Sequence, residues 1–281
     1  MLKHKQFHKV VTYCGLTIFL VIFMYFVYKN IASSIIFKNK DRINLIFYSS
    51  QAVYYSLGSG NVNYVIPFSP DDQILIPGGY GNYRIGAIGK LISLENKPEI
   101  YKRAFSSATS SFIDLYFYVP KSSIYYGNDF QKNLLPSYQN ILFTKSNATL
   151  LDRIYLLFSF LNRNKNQFKV INETEFFKHY QGFFYKKIYR NIKDNVQIIY
   201  SKSYKTALLV SRMIEGEGIR VVDLTQVDLV NKKCTVTQQN MFSKTSIDLA
   251  EFFGCNLIKG STNMSDIIIT LGKLEKEWGV E

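Results

Sequence analysis

The sequence predicts an α/β protein, with α+β mixed sheets, carried on a single N-terminal transmembrane helix, and three observations lead there. Residues 10–28 hold no acid or base, with Lys3, Lys5 and Lys9 before them and Lys29 after. Beyond them, short runs rich in Ile, Val and aromatics alternate with segments of helical periodicity, as strands interleaved with helices do. From residue 195 onward the alternation is regular enough to read as two strand-helix-strand halves.

The first segment is an anchor by its length. At about 1.5 Å of rise per residue its helix spans about 28 Å, against a hydrocarbon core of about 30 Å, and a helix satisfies its own backbone polar groups. A cleaved secretory signal is the rival. Its apolar stretch is usually about 7–15 residues long, however, and Ala32-Ser33-Ser34 makes a poor cleavage site. The N-terminus therefore divides into a cytoplasmic tail (1–9), a transmembrane helix (10–28) and a basic stalk (29–41). Lysines flank the span almost evenly, so charge alone leaves its orientation open. No second run approaches this length, since residues 154–161 are bounded by Asp152, Arg153 and Arg163. A single-pass protein is expected.

A core domain is expected over 42–171. Strands are read at 42–48, 62–68 and 73–76, and a Gly-rich loop from Pro77 to Gly86 leads into a helix over 90–95. A second helix spans 97–109, and a strand at 112–119 ends before Pro120. Residues 121–148 are turn-rich. The apolar segment 150–161 reads as a helix that starts from Thr149, with Asp152 three positions on, where a capping box would carry Glu or Gln. A strand follows at 168–171. Residues 172–194 place Lys178, Lys186, Lys187, Arg190 and Lys193 among Phe and Tyr and read as a linker.

The last domain, 195–281, runs strand 196–200, helix 204–215, strand 219–224, strand 235–238, helix 243–253, a strand near Leu257 and a strand at 267–271. Gly216 and Gly218 supply the freedom that a helix C-terminus requires.

Composition narrows the function. With 47% hydrophobic and 16% aromatic residues the chain folds rather than remaining a disordered tail. Its net charge of +13 rests on 26 Lys against 8 Arg, spread without blocks. Beside a membrane, such diffuse charge favours anionic lipid headgroups or acidic glycans, or it serves solubility alone. Nucleic acid is not expected as a partner, because zinc-finger spacing, an RNA-recognition aromatic signature and a basic helix are all lacking. His179 is the one histidine beyond the first eight residues, which excludes a multi-histidine zinc site.

Few residues carry a chemical signal. Asp71 and Asp72 either hold a metal or begin a turn. Gly78, Gly79 and Gly81 either present N–H groups to a phosphate or simply turn the chain tightly. Arg84 either meets an anion or covers an apolar rim with its stem. Cys14 falls inside the apolar segment. Cys234 starts a strand and Cys255 ends the helix that runs back beside it, so the pair reads as a disulfide or as two separate buried thiols. A bridge closing about 20 residues adds about 3 kcal/mol and requires an oxidising, extracytoplasmic setting.

Two stretches resemble known families. Residues 196–281 are similar to the LytR C-terminal domain in their order and in the closing Asp266-Ile267-Ile268-Ile269-Thr270-Leu271-Gly272. Residues 42–119 resemble the start of the LytR-CpsA-Psr catalytic domain, through Arg42-Ile43-Asn44-Leu45 and Ile76-Pro77-Gly78 followed by Arg84-Ile85-Gly86-Ala87. The resemblance implies a cell-membrane protein with its bulk outside the cytoplasm. It also implies an enzyme class that moves glycopolymers from a polyprenyl pyrophosphate lipid to the cell wall, with arginines and Mg²⁺ around the phosphates. On that pattern Asp71 is the catalytic and metal-binding acid, Arg84 the matching basic residue, and Gly78, Gly79 and Gly81 the ligand loop. Pro70 and Gly86 stand where the family carries Arg and Asn, and its Arg-Ser-Asp segment finds no match near Ser56 to Asn63. The reading is therefore a catalytically degenerate relative that binds glycan, polyprenyl-phosphate lipid or a wall partner. An active Mg²⁺-dependent transferase and a tethered regulator or assembly scaffold are the alternatives.

Overall fold

The computed structural model describes residues 2–38, 41–58, 62–120, 134–171, 182–228, 233–262 and 264–280. Helix α1 runs Leu2–Ser33. Its part Gly15–Ser33 has a mean hydropathy of 1.7 with nothing buried against the body, so it is long and apolar enough to cross a membrane.

The chain then joins the body at once. Ile35–Lys38 form a 3₁₀ turn in which Ile35 is buried, and the Ser34 hydroxyl and Ile35 N–H both donate to Asp152 Oδ1, at 2.7 and 2.9 Å. The basic segment expected as a stalk is thus helix as far as Ser33 and docked turn over Ile35–Lys38. The reason is local: Ile35 belongs to a hydrophobic core, and Asp152 takes up polar groups exposed where the helix ends.

A six-stranded mixed sheet follows in the order β7-β6-β1-β2-β3-β8. Its strands are β1 (Arg42–Tyr48), β2 (Ala52–Gly58), β3 (Asn63–Phe68), β6 (Leu115–Tyr118), β7 (Lys145–Ser146) and β8 (Phe168–Val170). β1 pairs antiparallel with β2 and parallel with β6. Every residue of β1 and β2 is buried because both faces of the sheet are covered. Ile46, Tyr48, Ala52 and Tyr54 face α2 (Ile88–Glu95) and α3 (Glu99–Thr109); Leu45, Phe47, Val53 and Tyr55 face α4 (Tyr138–Leu142) and α5 (Leu150–Leu161). Strands β4 (Gln73–Ile76) and β5 (Gly81–Arg84) form a separate antiparallel hairpin, so the loop expected over 77–86 includes a strand.

The second sheet is ordered β10-β9-β13-β11-β12. Here β9 (Asn195–Tyr200), α7 (Tyr204–Gly216) and β10 (Arg220–Gln226) make one parallel strand-helix-strand unit. β11 (Thr235–Gln238), α8 (Lys244–Phe253) and β12 (Asn256–Lys259) make the other. β13 (Ile267–Thr270) joins them, parallel to β9 and antiparallel to β11, before α9 (Leu274–Glu277) closes the chain. Cys234 and Cys255 are disulfide-bonded with Cα atoms 4.7 Å apart, tying the entry of β11 to the end of α8.

Of the expected linker, 172–181 and with them Lys178 and His179 lie outside the described residues. The remainder is structure rather than spacer. Phe184 enters the first core, Tyr189 enters the second, and α6 (Lys187–Ile192) lies between them.

Candidate functional site

Asp71 sits in the turn between β3 and β4, and Arg84 ends β5. Hairpin pairing brings them within 4.0 Å of each other, both well exposed. Screened by water, such a pair contributes little. Asp72 serves the turn, its carboxylate accepting from Ser69 N–H at 3.0 Å. Tyr48 positions the segment after Arg84 from below: its hydroxyl donates to Ile85 O at 2.8 Å and accepts from Gly89 N–H at 3.0 Å. Burial pushes that phenol up to about 12, against the lowering effect of the Gly89 bond.

Gly78, Gly79 and Gly81 adopt left-handed φ angles of 99°, 83° and 75°. The N–H groups of Gly78 and Gly79 converge as a nest would, yet both donate to Gly279 O near the C-terminus, at 2.9 and 3.3 Å. A Cβ on Gly78 would meet Glu277 O at 3.0 Å. The loop therefore grips the other sheet unit rather than presenting its amides outward. Mg²⁺ binds through one or two carboxylates together with waters and substrate phosphates. Asp71 offers one exposed carboxylate, with the Arg84 guanidinium 4.0 Å away as a competing cation.

The dense polar chemistry lies instead where the two sheets meet. Lys186 Nζ stands 2.7 Å from Glu217 and 3.7 Å from Asp114, and all three side chains are at most 1% exposed. Glu217 also accepts from Phe112 N–H at 2.5 Å, and Asp114 from Asn44 N–H at 2.9 Å. Ser56 donates to the Asn44 side chain at 2.7 Å and accepts from Arg42 at 2.9 Å, so polar groups run from β1 and β2 through to α7. Burial opposes the Lys186 charge, but Asp114 and Glu217 together hold its ammonium above the ordinary lysine value. Burial also pushes the Glu217 carboxyl upward, against the pull of Lys186. In the sequence Lys186 is one of several linker lysines; its aromatic neighbours Phe184 and Tyr185 were the available sign of burial.

Further contacts close the junction. Phe112 stacks on Phe252 with ring centres 3.9 Å apart, and Lys102 donates to Phe252 O at 2.7 Å while lying 3.9 Å above that ring. Gly216 presses on Ser110, where a Cβ would fall 1.7 Å from the carbonyl oxygen.

Beside this junction opens a cleft of about 630 Å³, with the end of the apolar helix as one wall. Tyr25, Tyr28 and Lys29 of α1 line it together with Lys102, Phe252 and Glu251. Its carboxylates are engaged within the protein. Asp152 accepts from Ser34, Ile35 and Thr149; Asp248 accepts from the Tyr189 hydroxyl at 2.8 Å and pairs with Lys244; Glu251 pairs with Lys38. Lys29, Lys38 and Lys102 therefore line the cleft together with Asp114, Asp152, Asp248 and Glu251, beside the rings of Tyr25, Tyr28 and Phe252 at the end of the apolar helix. Among the described residues no group of three or more His, Cys, Asp or Glu is placed to hold a metal. No family profile, curated protein or solved structure matches the chain.

Proposed function

We propose that this chain is a single-pass membrane protein whose body lies outside the cytoplasm, a cell-envelope component of LytR-CpsA-Psr type. In this reading it holds an anionic lipid headgroup or glycan, polyprenyl phosphate included, and transfers nothing. The observation that carries it is the cleft walled by Tyr25, Tyr28 and Lys29, which puts Lys29 and Lys102 and an aromatic surface beside the end of the apolar helix. Tyr is enriched at that membrane depth, and lysines there attract anionic headgroups. The disulfide suits an oxidising compartment. Against transfer stand the open Asp71–Arg84 pair and a glycine loop whose amides serve Gly279.

The test uses full-length protein in vesicles containing polyprenyl phosphate, and separately in vesicles with a polyprenyl pyrophosphate-linked glycan and Mg²⁺. Lipid binding is expected to weaken about tenfold in Lys29→Glu/Lys102→Glu, equivalent to about 1.4 kcal/mol, with no polyprenyl phosphate released from the glycan lipid. Mg²⁺-dependent release that Asp71→Ala and Arg84→Ala both abolish would establish the transferase instead.

A further inference from the structure

Helix α5 buries one face and, among the described residues, leaves the other uncovered. Asp152, Leu156 and Phe160, four residues apart, point into the body. Leu150, Ile154, Phe158 and Leu161 lie on the opposite face at spacings of four, four and three, and are 61%, 40%, 59% and 68% exposed. Phe143, 79% exposed, ends the neighbouring helix α4, which Arg153 ties to α5 by donating to the carbonyls of Ile141 and Leu142 at 2.7 and 3.0 Å. An apolar stripe this continuous is not ordinary surface scatter.

Its position identifies what covers it. Asp152, in the first turn of α5, binds Ser34 and Ile35 directly after the apolar helix ends, so α5 starts where an anchor would leave the hydrocarbon. Helix α5 holds no acid other than the buried Asp152. Lys145 stands exposed ahead of it and Arg163 follows its end. Basic flanks around an apolar helical face, fixed to a membrane helix, match an element lying in the headgroup region of an anionic bilayer.

We propose that the outward face of α5, with Phe143, lies in the membrane interface as a second contact beside the anchor, so that the body rests on the bilayer rather than standing clear of it. The occupant is the lipid surface, and the inference rests on α1 being membrane-inserted. Over about 18 Å of helix, Leu150 to Leu161 would sink into the boundary between headgroups and acyl chains, reaching about 5–10 Å deep.

The experiment reconstitutes the full-length protein in phosphatidylcholine–phosphatidylglycerol vesicles with ordinary or brominated acyl chains. Trp278, 3% exposed, sets the baseline emission. Phe158→Trp is expected to add blue-shifted emission that brominated chains quench at least about twofold, and Leu161→Trp repeats the measurement should the first variant fail to fold. Phe23→Trp, inside α1, reports insertion of the anchor independently. Quenching at position 23 with none at 158 and 161 overturns the docked face and leaves the anchor standing; absence at all three overturns both. Blue-shifted emission at 158 that resists brominated lipid but responds to dilution assigns the face to a second copy, and also overturns the proposal.

Discussion

Lys186 shows how much a single side chain can carry. Its ammonium is buried between Glu217 and Asp114, so replacing it with an apolar residue leaves two carboxylates facing each other without a cation. Lys186→Met is expected to destabilise the protein by about 3–5 kcal/mol, read as a fall in urea midpoint. Its pH dependence follows from the direction of the shift. A lysine whose folded value is raised contributes fully below its unfolded value of 10.5 and loses that contribution as pH climbs through the folded one. Wild-type stability should therefore fall more steeply above about pH 10.5 than that of Lys186→Met. The sequence carries only the neighbouring Phe184 and Tyr185 as a sign of this, because a lysine in an aromatic, basic segment reads as solvated until the opposing sheet is known. Gly216 misled in the same way. It reads as a helix cap, but it is the last residue of α7, Gly218 takes the left-handed angle of 95°, and Gly216 is small because Ser110 O leaves no room for a Cβ.

Elements were more legible than residues, because periodicity reports burial directly. The Thr149–Asp152 pair marks the start of α5, and both arms of the capping box are present. What local sequence could not disclose is that Asp152 also receives Ser34 and Ile35, over one hundred positions away. Asp152→Ala should cost about 1–2 kcal/mol as a lost cap. It should also open the backbone after Ser33 to proteolysis, measured as faster cleavage between residues 33 and 41 in reconstituted vesicles. Unchanged cleavage would show that Ile35 burial alone holds the turn. Strand β2 escaped the sequence reading because Ala52, Ser56 and Gly58 dilute its apolar pattern, while its burial on both faces removes the alternation that betrays a half-exposed strand. Strand β5 escaped because Gly81 and Asn82 look like a turn, and it is held by pairing with β4.

At the scale of the molecule, the division into N-terminal apolar helix, first α/β unit and second α/β unit follows from hydropathy and from the order of elements. The junction does not, since stacking of Phe112 on Phe252 and the Lys186 cluster arise only when distant segments meet. A junction this polar and this buried couples the two units. Both should melt in one calorimetric transition, and reducing Cys234–Cys255 should lower its midpoint by an amount equivalent to about 3 kcal/mol across the whole protein. Two separated transitions would show that the sheets unfold independently. The docked turn after Ser33 has a reach consequence as well. A body fastened to that helix within two residues has no leash: with the helix spanning a bilayer, as proposed above, the body would stay at the membrane surface, and a ligand would reach it by lateral diffusion along the bilayer.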